Sequence, residues 1–427
     1  MAINPLHDIA QWRTRKSGIR GIPSVCSAHP LVIEASMLRA MEADSLLLVE
    51  ATCNQVNQEG GYTGMKPSDF RLFVEKIAKK VFFPLEKLIL GGDHLGPNPW
   101  KHLPADDAMG RAAAMIEAYA KAGFAKLHLD TSMGCAGEPV ALSDEMTAQR
   151  AARLASVAER AIEGSQAVLP VYVIGTEVPI PGGAMEELDI LEVTSPEAAV
   201  ETVEIHRKAF RDAGVENAFS RVIAAVVQPG VEFGNHNVIA YAPETAKALS
   251  ASLARLPGMV FEAHSTDYQT PEALRQLVDD GFAILKVGPG LTFALREALY
   301  GLDAIASFLN PSARAQTLME TAEQVMIQKP ENWNKYYKGS REELLIQRHF
   351  SYSDRIRYYW PQPEMTHSVE ELFAFFEGQE IPETLISQYL NGLYPQVRSR
   401  KSGNSPKELV LASIQRVLDD YFMACEI

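Results

Sequence analysis

The sequence predicts a (β/α)8 TIM barrel carrying a helical C-terminal extension. Three observations predict it. Eight short runs rich in Val, Ile and Leu recur between residues 21 and 288, each bounded by Gly, Pro, Ser or Asp and followed by an amphipathic stretch. Their spacing is roughly 37 residues per step, enough for a strand, a helix and two loops. The runs are nearly continuous in apolar residues, as strands buried on both faces of a parallel sheet require. A doubly wound open sheet is the competing architecture, and no early G-x-G-x-x-G turn supports it.

In order, the runs occupy residues 21–27, 45–52, 88–94, 125–132, 171–177, 221–228, 259–265 and 283–288. Helical punctuation between them agrees. Residues 104–123 are Ala-rich and end in Gly, and residues 270–281 carry a Thr cap, Pro at the first helical position and a closing Gly. After about residue 300 the repeat stops and aromatic and charged residues increase. Helical patterns near 340–347, 368–378 and 406–423 then predict an extension over 301–427 that packs on a barrel spanning 1–300.

The 427 residues are 47% hydrophobic and 22% charged, and no window approaches the 18 apolar residues of a membrane span. Disorder and membrane insertion drop out. A net charge of −14 argues against a nucleic-acid partner but leaves room for a small pocket that binds one sugar phosphate. Four scattered cysteines, Cys26, Cys53, Cys135 and Cys425, form no C-x-x-C pair and read as reduced thiols. The first 21 residues are polar, without the apolar core of a secretory signal, so the expected location is the cytoplasm.

In a TIM barrel the active site forms at the C-terminal ends of the strands, so polar residues closing the apolar runs are the informative ones. The second run reaches Glu50 and Asn54, the third ends in Asp93 and His94, and the fourth ends in Asp130. Glu177 closes the fifth, His264 and Ser265 close the seventh, and Lys286 lies in the eighth. Barrel closure would bring them to one mouth. His94, His264 and His236, the last in the loop VEFGNHN (231–237), could together hold one divalent ion with a coordination position left open. Asp93 would shuttle protons beside it. Glu50, Asn54, Asn57, His29 and His128 are candidates for contacts to sugar hydroxyls. Lys286 and the amides of Gly288 and Gly290 could meet a phosphate, although Asp267 would repel it. Arg355 and Arg357 stand among Tyr358, Tyr359 and Trp360. Either they are a helix face anchored by aromatic packing or one of them forks a substrate phosphate.

With these residues in view, the chain resembles class II ketose-bisphosphate aldolases and, more closely, the GatZ/KbaZ family of tagatose-bisphosphate aldolase subunits. The closer resemblance runs through GIPSVCSAHP (21–30), EATCNQVN (50–57), GGYTGM (60–65), GGDHLGP (91–97), LHLDTSM (127–133), GTEVP (175–179), FEAHSTD (261–267), LKVGP (285–289) and SYSDRIRYYW (351–360). The fainter aldolase resemblance implies that Asp93 and His94 match a proton donor and metal ligand, that FGNH (233–236) matches a ligand loop, and that His264 matches a further ligand. It also implies a role for Glu177 and a divalent cofactor, with zinc expected. The GatZ/KbaZ resemblance implies a sugar phosphate as small-molecule partner, a catalytic aldolase chain as protein partner, and an oligomer. Some relatives are implicated in 4-epimerisation of ketose phosphates, which leaves an enzyme acting by aldol cleavage or epimerisation as the alternative to an accessory subunit. A tagatose-6-phosphate kinase, the label often attached to this family, has little support. Residues 60–68 lack the G-x-x-x-x-G-K-[ST] spacing, and Pro67 is expected to interrupt the helix that should cradle phosphate.

Overall fold

Each of the eight apolar runs holds one strand of a closed parallel barrel in the computed structural model, which describes residues 4–13, 18–165, 168–175, 191–400 and 403–427. The strands are β1 (Ile22–Cys26), β2 (Leu47–Thr52), β3 (Leu88–Leu95), β4 (Lys126–Leu129), β5 (Val171–Ile174), β6 (Val222–Val226), β7 (Val260–Ala263) and β8 (Phe282–Val287). Neighbours in sequence pair in space, and β8 closes on β1 with Lys286 opposite Ser24. A two-stranded ribbon, Glu232–Phe233 against Val238–Ile239, stands apart in the loop after β6.

One long helix follows each strand: α1 (Pro30–Glu42), α2 (Pro67–Val81), α3 (Ala105–Lys121), α4 (Asp144–Ala161), α5 (Pro196–Asp212), α6 (Pro243–Ser252), α7 (Pro271–Asp279) and α8 (Pro289–Leu309). Six of them begin on proline, whose fixed φ suits the first turn and whose missing N–H is not needed there. Pro67 therefore starts a helix and does not interrupt one. Ser143, Ser195 and Thr270 cap α4, α5 and α7 by accepting the N–H groups of Met146, Ala198 and Ala273.

Strand side chains alternate between the helix-facing surface and the barrel interior. At the N-terminal end the interior is hydrocarbon: Ile22, Leu48, Ile89, Val171, Val260 and Ile284 pack together with Leu6, Ile9 and Trp12, which plug the barrel from below. Asn4 fastens this plug by donating to the carbonyls of Ala125 (2.7 Å) and Leu169 (3.1 Å). The N-terminal stretch thus contributes a buried apolar face that its overall polarity conceals.

Helix α8 runs across residue 300, where the repeat ends, and leads into α9 (Leu318–Gln328), α10 (Arg341–Phe350), α11 (Pro363–Phe375), α12 (Glu383–Tyr389) and α13 (Pro406–Ala424). Helix α13 lies against α1, α7 and α8. From it the Tyr421 hydroxyl donates to the carbonyl of Thr266 (2.8 Å), and the Thr266 hydroxyl donates to the carbonyl of Lys286 (2.6 Å). The C-terminal region is hydrogen-bonded to the ends of β7 and β8. No described helix is long and apolar enough to cross a membrane.

Candidate active site

Moving two residues up a strand keeps a side chain on the same face, and several strands change character in that step. Leu48 gives way to Glu50, Val260 to Glu262 and then His264, and Ile284 to Lys286; Lys126 and His128 share β4. Space for the charges is made by Gly91, opposite Glu50 in the register, where a Cβ would lie 2.5 Å from the Glu50 carboxylate.

The result is a continuous buried network. Lys126 Nζ lies 2.6 Å from Glu50 Oε1 and 2.9 Å from Glu262 Oε2, with all three side chains fully enclosed. Lys286 Nζ contacts Glu50 Oε2 and lies 2.9 Å from Asp93 Oδ1. Above them His128 Nδ1 is 2.9 Å from Asp93 Oδ1, while its Nε2 donates to the carbonyl of Gly175 (2.9 Å). His264 Nε2 is 3.1 Å from Glu262 Oε1, and His94 Nδ1 is 2.8 Å from Asp130 Oδ2. The rings of His94, His128 and His264 surround one point, with centroids 4.8 to 5.3 Å apart. His94 (φ 49°) and Ser265 (φ 52°) both adopt the left-handed region, a strain of about 1–2 kcal/mol for a non-glycine residue that the surrounding bonds sustain.

Burial opposes ionisation of Asp93, but His94, Lys286, His128 and His264 outweigh it and hold the carboxyl well below the usual range. Asp130 is likewise buried, yet its bond to His94 brings it down to about 2. The imidazoles diverge. Burial lowers His264 to about 4, whereas His94 is raised because Asp93 and Asp130 together outweigh its burial. Paired groups pushed apart in this way are a mark of acid–base sites.

Asp93, His94, Asp130, His264, Ser265 and Lys286 open onto one cavity of about 640 Å³, large enough for a sugar phosphate. Asn54 is exposed on its wall, and Arg357, Tyr358 and Trp360 from the C-terminal region complete its lining. Ser265 presents a buried hydroxyl without a hydrogen-bond partner among the described residues.

Four carboxyl groups in this network, Glu50, Asp93, Asp130 and Glu262, face two ammonium groups. The remaining positive charge must come from imidazolium groups or a bound cation. Asp93, His128, Glu262 and His264 offer donor atoms within 4.8 Å of one another, a mixed imidazole and carboxylate set that suits a divalent transition metal. The Asp130 bond to His94 Nδ1 leaves Nε2 of that ring facing Asp93, an orientation metal-binding imidazoles commonly have.

The structure does not bring every expected residue here. His236 is exposed: the turn closed by Gly234 N–H to the carbonyl of Asn237 (2.9 Å) and the bonds of Asn235 to Ser351 and Ser353 hold its loop against the C-terminal region. His128 supplies the third imidazole of the cluster. Glu50 lies beneath the cavity as a partner of the two lysines and does not line it. The Gly288 amide donates to Asp267 Oδ1 (3.0 Å), as does the Gly290 amide (2.7 Å). Arg355 bonds the Asn332 carbonyl and stacks on Tyr336, away from the cavity that Arg357 reaches. Glu177 lies outside the described residues.

Lys126 and Glu262 carry the network, although neither stands among the site residues expected from the sequence. The signal was present: a charged residue in the middle of an apolar run, two positions before a histidine, must share that histidine's inward face.

A family model described as D-tagatose-1,6-bisphosphate aldolase subunit GatZ/KbaZ-like matches residues 6–426. A curated relative from Agrobacterium fabrum (strain C58 / ATCC 33970), called D-tagatose 6-phosphate 4-epimerase, is 53% identical over 404 residues, covering 95% of this chain and 94% of its own length. A solved structure from Sinorhizobium meliloti 1021, called a probable tagatose 6 phosphate kinase, is 66% identical with a TM-score of 0.89, covering 95% of this chain and 100% of that one.

Proposed function

Because the chain belongs to the D-tagatose-1,6-bisphosphate aldolase subunit GatZ/KbaZ-like family, we propose that its barrel mouth is a working site that inverts C4 of a ketose phosphate such as tagatose 6-phosphate. The observation that carries this reading is the convergence of Asp93, His94, His264 and Lys286 on one cavity, with opposed proton affinities in adjacent imidazoles. The name of the 53% identical relative supports it.

C4 of a 2-ketose bears no acidic hydrogen, so direct proton exchange cannot invert it. The C3–C4 bond, however, lies between the α and β positions of the ketone and can break by retro-aldol chemistry. In our reading Asp93, ionised at neutral pH, accepts the proton of the C4 hydroxyl as that bond breaks. The bonding electrons pass to the C1–C3 fragment as an enediolate, and C4 becomes an aldehyde. The aldehyde turns its other face, the bond re-forms, and Asp93 returns the proton to the C4 oxygen. Lys286, anchored by Glu50 and Asp93, provides a fixed positive charge beside the developing enediolate. Ser265 and Asn54, which line the cavity, would bond hydroxyls, and Arg357 would take the phosphate.

His128, Glu262 and His264 would hold a divalent ion beside Asp93, with the His94 ring adjoining them, zinc being the one the donor set favours. Such an ion supplies Lewis acidity toward the ketose oxygens. The test is interconversion of tagatose 6-phosphate and fructose 6-phosphate by the purified chain with divalent metal. Turnover that Asp93→Asn abolishes supports the reading, and no turnover defeats it.

A second reading, service as a subunit to a catalytic aldolase chain, is favoured by exposed Ile327, Leu345, Ile346 and Phe350 on the adjacent helices α9 and α10. Aldolase activity that appears only when both chains are mixed would establish it. A kinase reading gains no comparable observation from the cavity, because the segment around Lys66 and Pro67 opens α2 without a phosphate-binding glycine loop of the required spacing.

A further inference from the structure

Helix α8 is 21 residues long and begins at the cavity, with Gly288 as its N-cap. The first amides of such a helix point outward and favour an anion. Here the anion is built in. Asp267 Oδ1 accepts both the Gly288 N–H (3.0 Å) and the Gly290 N–H (2.7 Å), and the residue is 3% exposed yet lines the cavity. The approach is tight: a Cβ at Gly290 would stand 2.9 Å from that oxygen. Burial pushes the Asp267 carboxyl up to about 6, still below neutral pH, against the two amides and Arg357 of the cavity lining, which favour its ionised form.

We infer that Asp267 is a specificity-determining residue: its carboxylate fills the amide cradle at the start of α8, so the cavity takes a ketose bearing one phosphate and rejects a second. A phosphate entering the cradle would have to displace the carboxylate and then sit beside its charge. A free hydroxyl meets no such barrier, since it can donate to the remaining carboxylate oxygen. Asp267 leaves β7 three residues after His264, and Gly288 leaves β8 two residues after Lys286, so the cradle adjoins the reacting groups. The end of the sugar that reaches it is the one beside the carbonyl, C1. This inference rests on the ketose-phosphate reading above and specifies which phosphates that site accepts.

The experiment compares fructose 6-phosphate with fructose 1,6-bisphosphate, by kcat/KM and by calorimetric binding, in the wild-type chain, Asp267→Ser and Asp267→Asn. The wild type should prefer the monophosphate, and Asp267→Ser, which frees both amides, should shift the ratio toward the bisphosphate by roughly tenfold or more. Asp267→Asn keeps an oxygen for the two amides while removing the charge, and should shift the ratio by less. A wild-type preference for the bisphosphate, or an unchanged ratio in a folded Asp267→Ser chain, overturns the inference. If Asp267→Ser does not fold, the ratio in Asp267→Asn decides in the same way. Should the wild type bind these sugars but turn over neither, the epimerase reading fails, and the binding ratio still judges Asp267.

Discussion

The lower and upper parts of the barrel interior are built by the same strands under the same alternation, yet one is hydrocarbon and the other ionic. Below, Ile22, Leu48, Ile89 and Ile284 pack against the Leu6, Ile9 and Trp12 plug. Two residues higher, Glu50 and Lys286 join Lys126, Glu262 and Asp93 in a network almost without solvent contact. Apolar contacts need no particular partner, and each buried methylene contributes about 0.8 kcal/mol. A buried charge is tolerable only while its counter-charge stays in place. The lower interior therefore supplies stability, and the upper interior uses some of it to hold reactive groups in fixed positions.

The largest expected effect that tests this contrast is on chemistry. Asp93→Asn should lower turnover of a ketose phosphate by about 10²–10⁴-fold, the usual worth of a general acid–base group. If a folded Asp93→Asn chain keeps its rate, the upper interior is merely structural. Next comes Lys126→Met, which removes the nearest ammonium from Glu262 and leaves Glu50 with Lys286 alone, and should destabilise the chain by about 3–5 kcal/mol in urea unfolding. Adding Glu262→Gln should restore part of that loss, as it would not if the lysine stem acted only by packing.

Leu48→Ala below the network should cost about 2–5 kcal/mol through cavity formation while changing kcat/KM by less than about tenfold. A large kinetic effect there would erase the division between the two halves. Zinc offers a subtler probe. At about 100 times its dissociation constant it should add about 2.7 kcal/mol to stability, visible as a raised melting temperature, and His264→Ala should reduce that increment.

The smallest effect sharpens the contrast outside the barrel. Asp354 is as buried as Asp93, but burial dominates over Arg296, Thr292 and Arg357, and its carboxyl is pushed up to about 7. That value lies above the 3.8 it regains on unfolding, so the stabilisation from its proton is complete below 3.8 and is lost as pH rises through about 7. Asp354→Asn should flatten the decline in stability over that window, measured by urea unfolding at pH 5 and pH 8. An unchanged slope would mean that the Arg296 and Thr292 contacts compensate the buried charge.

Much of this was legible in the chain. Six of the eight strands fall inside their apolar runs, β3 and β8 each overrun theirs by one residue, and α7 opens on the Thr270 and Pro271 that predict it. Within the site, Asp93, His94, Asp130, His264 and Lys286 could be found as polar residues closing those runs. His236 and Arg355 could not be sorted from His128 and Arg357. Each pair has the same chemistry, and only the bonds that tie Asn235 to Ser351 and Tyr352 turn the His236 loop outward.

What the sequence by itself determined is local: which residues extend, which coil, where proline and glycine punctuate them, and which side chains share a strand face. Those properties arise from sterics and hydrogen bonds acting over a few residues. The tertiary structure alone decided which of the ten histidines meet, that Lys126 bridges Glu50 and Glu262, and that the Gly288 amide is given to Asp267. These contacts join residues far apart in the chain, 136 positions in the case of Lys126 and Glu262. Barrel closure and register set their distances, and neither is written in any one segment.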